Sequence, residues 1–252
     1  GKPPSAPASA SSAAAWSRLA APLQHVLNTP PGDHYDIERA VLLYATLPRL
    51  TMALLCGAML AAAGAILQQA LGNVLASPTT LGVDAGARLA LAIAGAFIPD
   101  LFGLGRDIVA ILGSTAAVLI VFALVSGRRF SAISVILAGL IVSLYCGALA
   151  SIFTLVQNRY LTSLFIWGSG SLSQQSWAPS IELIWRLALC AIPILLLMRP
   201  LSLLDLGDQA SRGLGLSVGQ TRVVAIGVAV LLSALVTSKV GLIGFVGLAA
   251  PI

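Results

Sequence analysis

The sequence predicts an all-α fold, a polytopic transmembrane helical bundle, and three observations carry that prediction. Of 252 residues, 58% are hydrophobic and only 9% are charged, where a soluble domain carries roughly 25% charged residues. A water-soluble globule could not cover its surface with so few charges, whereas side chains facing lipid can stay apolar. Several apolar runs meet or approach the roughly 20 residues that a helix needs to cross the hydrocarbon core. The aromatic share is only 6%, while glycine numbers 24, the mixture expected of helices packed closely in lipid.

The runs cover roughly 50–71, 80–98, 108–126, 132–156, 181–199 and 223–240, about six spans. Pro48 sits where a first helical turn tolerates proline, Pro78 precedes the second run, and Pro99 and Pro200 follow two others. Pro193 falls inside the fifth run, where it predicts a kink. Gly82, Gly86, Ala90 and Ala94 recur every four residues, as do Gly139, Ser143, Gly147 and Ser151. Such stripes let two helix backbones approach where no water-driven force joins them.

Composition also excludes several functions. The net charge of +5 comes from basic residues scattered singly between apolar runs, which is no nucleic-acid face. Cys56, Cys146 and Cys190 lie unpaired within apolar runs and read as small buried residues, and the two histidines, His25 and His34, lie near the start. No metal site is expected from them. Residues 1–15 form a Gly/Pro/Ala/Ser tract without the pattern of a secretory signal, and the chain stops just after a glycine-rich apolar stretch. The expectation is a fragment of a longer protein.

Arginine placement sets the orientation. The loops after the third and fifth runs hold Arg128, Arg129, Arg199, Arg212 and Arg222, and the loop after the first run is uncharged. On the opposite side, Arg106 lies beside Asp100 and Asp107, and Arg159 stands alone. The bias assigns the first group of loops to the cytoplasm. Residues 1–47, with Asp33, Asp36 and Glu38, then form a linker and extracytoplasmic segment, although Arg39 and Arg49 count against that side. Residues 48–252 form the transmembrane part, with a cytoplasmic loop at about 200–222.

That loop is the most informative segment. Leu203, Leu206, Ala210 and Leu214 fall on one helical face, and Asp208 and Arg212 have the spacing of an i,i+4 pair. A short helix ending at Gly213 or Gly215 could lie on the membrane surface or dock into a partner. Gly219-Gln220-Thr221 lacks the lysine and the preceding glycine of a phosphate loop, so the chain is not expected to hydrolyse nucleotide. Asp84 with Arg88, and Glu182 with Arg186, are spaced as neutralising helix pairs. A proton relay needs a deep, unpaired acid, and on this reading no run contains one. Gln68 to Gly82 joins two spans by a polar, uncharged turn, and Gly241, Gly244 and Gly247 predict a bend or re-entrant piece.

Together these segments resemble the permease subunits of ATP-driven importers for iron-siderophores and cobalamin. The resemblance rests on Leu47-Pro48-Arg49, Gln68-Gln69, Asn73-Val74-Leu75-Ala76-Ser77-Pro78, Leu81-Gly82-Val83 and Gly86-Ala87, then on Ile136-Leu137-Ala138-Gly139. It continues through Ala210-Ser211-Arg212-Gly213-Leu214-Gly215 and Gly241-Leu242-Ile243-Gly244-Phe245-Val246-Gly247-Leu248, covering nearly all of 44–252. Within the family the likeness is greatest to the first half of the long, fused form, the ferric-hydroxamate branch, at Pro78 to Val83, at Ser143 to Ala148 and around Leu164 to Trp177. Ile252 stands where most relatives have His after the closing proline, as fits that first half.

The resemblance implies a type II ABC importer permease fold of about ten spans per unit, of which this chain would lack the first and the last three. It implies a transport subunit of the bacterial inner membrane, not an enzyme, that passes a ferric siderophore of hydroxamate type. Cobalamin or another metal chelate is the alternative cargo, and an ion-coupled secondary transporter the alternative class. Asp208, Ser211, Arg212 and Gly215 would dock into a cytoplasmic ABC ATPase. Arg49 would pair with an acid on an extracytoplasmic substrate-binding protein; a second family arginine is Thr46 here. Asn73, Leu75 and Ser131 would form the inner gate. A second homologous half, fused in the full protein, would complete the pathway. No cofactor or metal would be bound by this chain, and ATP would be used by the partner.

Overall fold

The computed structural model describes residues 41–98, 104–125, 132–156, 170, 172 and 177–250. These residues are helical apart from turns. In chain order the helices are α1 (Leu47–Leu71), α2 (Val83–Phe97), α3 (Leu104–Val125), α4 (Ala132–Val156), α5 (Ala178–Leu204), the short α6 (Asp208–Gly213), α7 (Val218–Val240) and the single turn α8 (Val246–Ala249). A π-helical turn, Leu42–Thr46, leads into α1. Six long helices thus answer the six predicted runs. Five of them, α1, α3, α4, α5 and α7, are long and apolar enough to cross a membrane.

The remaining one, α2, has 15 residues and reaches only about 22 Å. Its shortness has a cause in the turn before it. Helix α1 ends on Gly72 (φ +60), with Gly72 N–H donating to the Gln69 carbonyl and Asn73 N–H to that of Gln68. This double closure satisfies carbonyls that a helix end otherwise leaves orphaned. The chain then climbs back into the bundle. Pro78 lies against Gly247, which in turn lies against the Leu60 carbonyl, about 16 Å up α1 from its inner end. Helix α2 therefore starts within the membrane depth, and the polar turn before it is a re-entrant stretch.

Irregular backbone is tolerated at that depth only where its polar groups are satisfied. Ser77, Thr79 and Thr80 do this locally. Ser77 N–H donates to Thr80 Oγ1 at 2.8 Å, Thr80 Oγ1 donates to the Ser77 carbonyl at 2.9 Å, and the Ser77 and Thr79 hydroxyls are 2.8 Å apart. Ser143 of α4 reaches the Thr79 carbonyl at 3.5 Å, and any side chain at Gly139 would strike the Thr80 carbonyl. The predicted stripe on α4 thus packs on the turn through Gly139 and Ser143. Gly147 meets open space and Ser151 is exposed. The other stripe works as an interface: Gly86 and Ala90 of α2 lie against Gly113 of α3.

Helix α7 is the centre of the bundle, packed against α1, α2, α3 and α5 and buried over most of its length. The glycine-rich segment after it turns back inward, as the glycine density predicts. Gly64 and Gly247 touch backbone to backbone. Two sequence expectations need correction. Helix α5 runs through both Pro193 and Pro200 to Leu204, so the inner loop is shorter than the predicted 200–222. The loop helix is also shorter than the predicted face needs: it spans only Asp208–Gly213, which leaves Leu203, Leu206 and Leu214 outside it, the last two exposed.

Candidate functional site

The inner end of the bundle brings two predicted groups of residues together. Gly207 (φ +90) breaks the chain out of α5, and α6 follows at once with Asp208 in its first turn and Arg212 in its last, the placement that suits a helix dipole. Ser211 is fully buried beneath α6. Its Oγ lies 2.6 Å from the Leu203 carbonyl and 2.8 Å from that of Gly207, fixing the helix against the end of α5. Gly215 (φ +86) then reverses the chain into α7. Arg212 is exposed.

Asp208 does not pair with Arg212 as its spacing predicts. It pairs with Arg222 of α7, whose Nη2 and Nη1 meet the two carboxylate oxygens at 2.8 and 3.2 Å. The same guanidinium donates from Nε to the Ala70 carbonyl at 2.8 Å, one of the orphan acceptors at the end of α1. A planar fork with a third donor explains the preference: Arg222 satisfies three acceptors at once. Arg222 entered the sequence reading only as a loop charge. Its partners lie 14 and 152 residues away, beyond any local spacing rule.

Three residues past Ala70 stands the turn of Asn73 and Leu75. Asn73 Oδ1 accepts from Leu75 N–H at 2.9 Å, an Asx turn, and Gln68 Nε2 bridges the carbonyls of Val74 and Leu248. Leu75 is exposed. Beside this turn lies an open cleft of about 480 Å³, lined by Gln68, Gln69, Asn73, Val74 and Asp205 among others, with Gln69 Nε2 3.5 Å from Asp205 Oδ2. Ser131 lies outside the described residues. Arg49 is exposed in the first turn of α1, at the opposite end of the bundle from Asn73.

That opposite end holds an ionic network. The expected Glu182–Arg186 pair forms, at 3.2 Å. It continues in both directions: Arg186 Nη2 stands 2.5 Å from Asp107 Oδ2 as an ion pair, and Lys239 donates to Glu182 at 2.5 Å. Ser238 donates to Asp107 Oδ1 at 2.6 Å. Helices α3, α5 and α7 are thereby tied, and Trp177 and Ser180 bond the carbonyls of Leu43 and Pro48 to hold α5 against the start of α1.

The other expected pair is absent. Asp84 is buried and accepts at Oδ1 from Ser233 (2.5 Å) and Thr237 (3.0 Å) of α7. Arg88 makes no ion pair among the described residues. Asp84 is thus the deep acid without a countercharge that the sequence reading found in no run.

Comparison with known proteins adds the family. The FecCD transport family model matches residues 9–252. The chain is 41% identical over 218 residues to the iron(3+)-hydroxamate import system permease protein FhuB of Escherichia coli, covering 86% of this chain and 33% of that protein. It is 32% identical to the Fe(3+) dicitrate transport system permease protein FecC of the same organism, covering 88% and 68%. A solved metal-chelate type ABC transporter in an inward-facing conformation matches with a TM-score of 0.70 and 28% identity, over 92% of this chain and 75% of that one. The chain spans about a third of the length of the two FhuB permeases it matches. These matches join a bundle of helices long and apolar enough to cross a membrane: the chain belongs to the FecCD transport family, as a multi-pass membrane protein.

Proposed function

We propose that this chain is the membrane-spanning permease part of an ATP-driven importer that moves a ferric siderophore of hydroxamate type across the bacterial inner membrane. The observation that carries the cargo is the 41% identity to a hydroxamate permease over 86% of the chain, well above the 32–33% to dicitrate and hemin permeases. Iron is cargo here, already wrapped in its chelator, so the pathway needs no iron ligands of its own.

The hydrolysis of ATP belongs to a separate ABC ATPase. Its docking point is α6 and the turn that follows, where Arg212 and Leu214 are exposed on a helix seated by Ser211 and reversed by Gly215. Asp208 is the inner side of that contact. Through Arg222 it connects the dock to the end of α1, hence to the gate residues Asn73 and Leu75, with Ser131 as their partner on the neighbouring span. Arg49 at the outer end meets the substrate-binding protein, and a second homologous permease half completes the passage. Alternating access follows if the two nucleotide states of the motor bind α6 differently, because only a difference in binding shifts an equilibrium between inward- and outward-open forms.

The test is uptake of radiolabelled ferric hydroxamate by vesicles holding the full-length permease, its ATPase and its binding protein. Accumulation that requires hydrolysable ATP, and that excess ferric dicitrate or cobalamin does not displace, is expected. Accumulation driven by an ion gradient without ATP would overturn the reading.

A further inference from the structure

Asp84 has no part in the proposed coupling path, and its surroundings are unusual for an acid. It lies at the start of α2, 2% exposed. Both hydroxyl donors that reach it, Ser233 and Thr237, bond to one oxygen, Oδ1, at 2.5 and 3.0 Å. Oδ2 is buried with no hydrogen-bond partner among the described residues. An ionised carboxylate accepts through both oxygens, whereas a carboxylic acid accepts through its carbonyl oxygen and carries hydrogen on the other. With both donors on Oδ1, Oδ2 is the atom left for a proton; its O–H meets no acceptor among the described residues, a smaller cost than a buried charge without a countercharge.

Among the described residues no neighbouring charge is paired with it. On α2, Arg88 forms no ion pair among the described residues. On α3, Asp107 is engaged by Arg186 and Ser238, and Arg106 lies at the far outer end of that helix. Helix α4 carries no charged residue, only Tyr145 and Cys146 as weakly acidic groups. On α7, Lys239 is bound to Glu182, and Arg222 sits at the opposite end on Asp208. A bare carboxylate so enclosed would cost several kcal/mol.

We propose that Asp84 is a buried proton-binding site, in which one proton sits on Oδ2 while α2 is packed against Ser233 and Thr237 of α7. The step is a plain protonation, carboxylate plus proton giving the neutral acid, with water as source and sink. Ser233 and Thr237 both lie on α7, so any parting of α7 from α2 would strip the acid of its donors, expose it to water and free the proton. The sign follows from linkage: the packed interface binds the proton that the opened one releases, so falling pH favours packing and rising pH favours opening. This inference stands whether or not the cargo is a siderophore.

Infrared spectroscopy of the full-length permease in lipid tests it, with aspartate isotope-labelled at the side-chain carboxyl carbon. At about pH 7, where an ordinary Asp is ionised, a protonated-acid carbonyl band is expected that shifts in heavy water and vanishes in Asp84→Asn. Removing the donors with Ser233→Ala and Thr237→Val should raise the frequency of that band, which keeps the test open even if Asp84→Asn fails to fold. A wild-type spectrum with only ionised aspartate bands, an unchanged band in both sets of variants, or a band abolished when sodium replaces choline in the buffer would each overturn the proposal.

Discussion

Arg222 grips Asp208 with both terminal nitrogens while its Nε holds the Ala70 carbonyl. One side chain of α7 thereby joins the loop helix to the end of α1. On the proposed mechanism, a push on α6 reaches the Asn73 turn through this single guanidinium.

Replacing Arg222 by Lys keeps the charge and loses the fork. Because the pair is about two-fifths exposed, its contribution to stability is small, about 1 kcal/mol or less. Thermal melting of the purified full-length permease should hardly move. ATP-driven uptake should fall about tenfold, the range of ordinary coupling energies. Unchanged uptake would remove Arg222 from the coupling path.

The outer network behaves differently because Asp107 is buried and Arg186, only 11% exposed, is its ion-pair partner. Arg186→Ala strands the Asp107 charge and should destabilise the protein by about 3 kcal/mol, seen as a large drop in melting temperature. Adding Asp107→Asn to that variant should recover much of the loss. Lys239→Ala should cost far less, since Glu182 is half-exposed. Equal losses for Arg186→Ala and Lys239→Ala would contradict the burial argument.

Glycines at backbone contacts give a third test. A methyl group at Gly86 would stand 2.5 Å from the Gly113 carbonyl, while one at Gly57 or Gly147 would meet nothing. Gly86→Ala should therefore destabilise by about 1–3 kcal/mol, and Gly147→Ala should be neutral or slightly stabilising. Melting curves that rank the two variants the other way would show that α2 and α3 do not approach this closely.

Local features were legible in the sequence. The six runs, the polar turn and the Glu182–Arg186 pair all depend on neighbours within a few residues. What escaped was decided at long range. Asp208 chose Arg222 over Arg212 because a fork that also caps Ala70 outweighs an i,i+4 contact. Asp84 found its donors 149 and 153 residues away, so spacing on α2 pointed to Arg88 instead. Helix α2 reads as a full span because hydropathy counts residues, not depth, and the run 80–98 takes in Leu81 at the end of the polar turn. Pro200 reads as a stop, yet α5 carries it within its last turns.

The central claim is that α6 is gripped by a separate ATP-hydrolysing partner. Arg212 tests it most directly, being exposed and free of the Ser211 and Asp208 contacts that hold the loop together. In vesicles containing the complete importer, Arg212→Glu should abolish ATP-driven uptake of ferric hydroxamate while membrane insertion and melting temperature stay at wild-type values. Wild-type uptake by that variant would contradict the account.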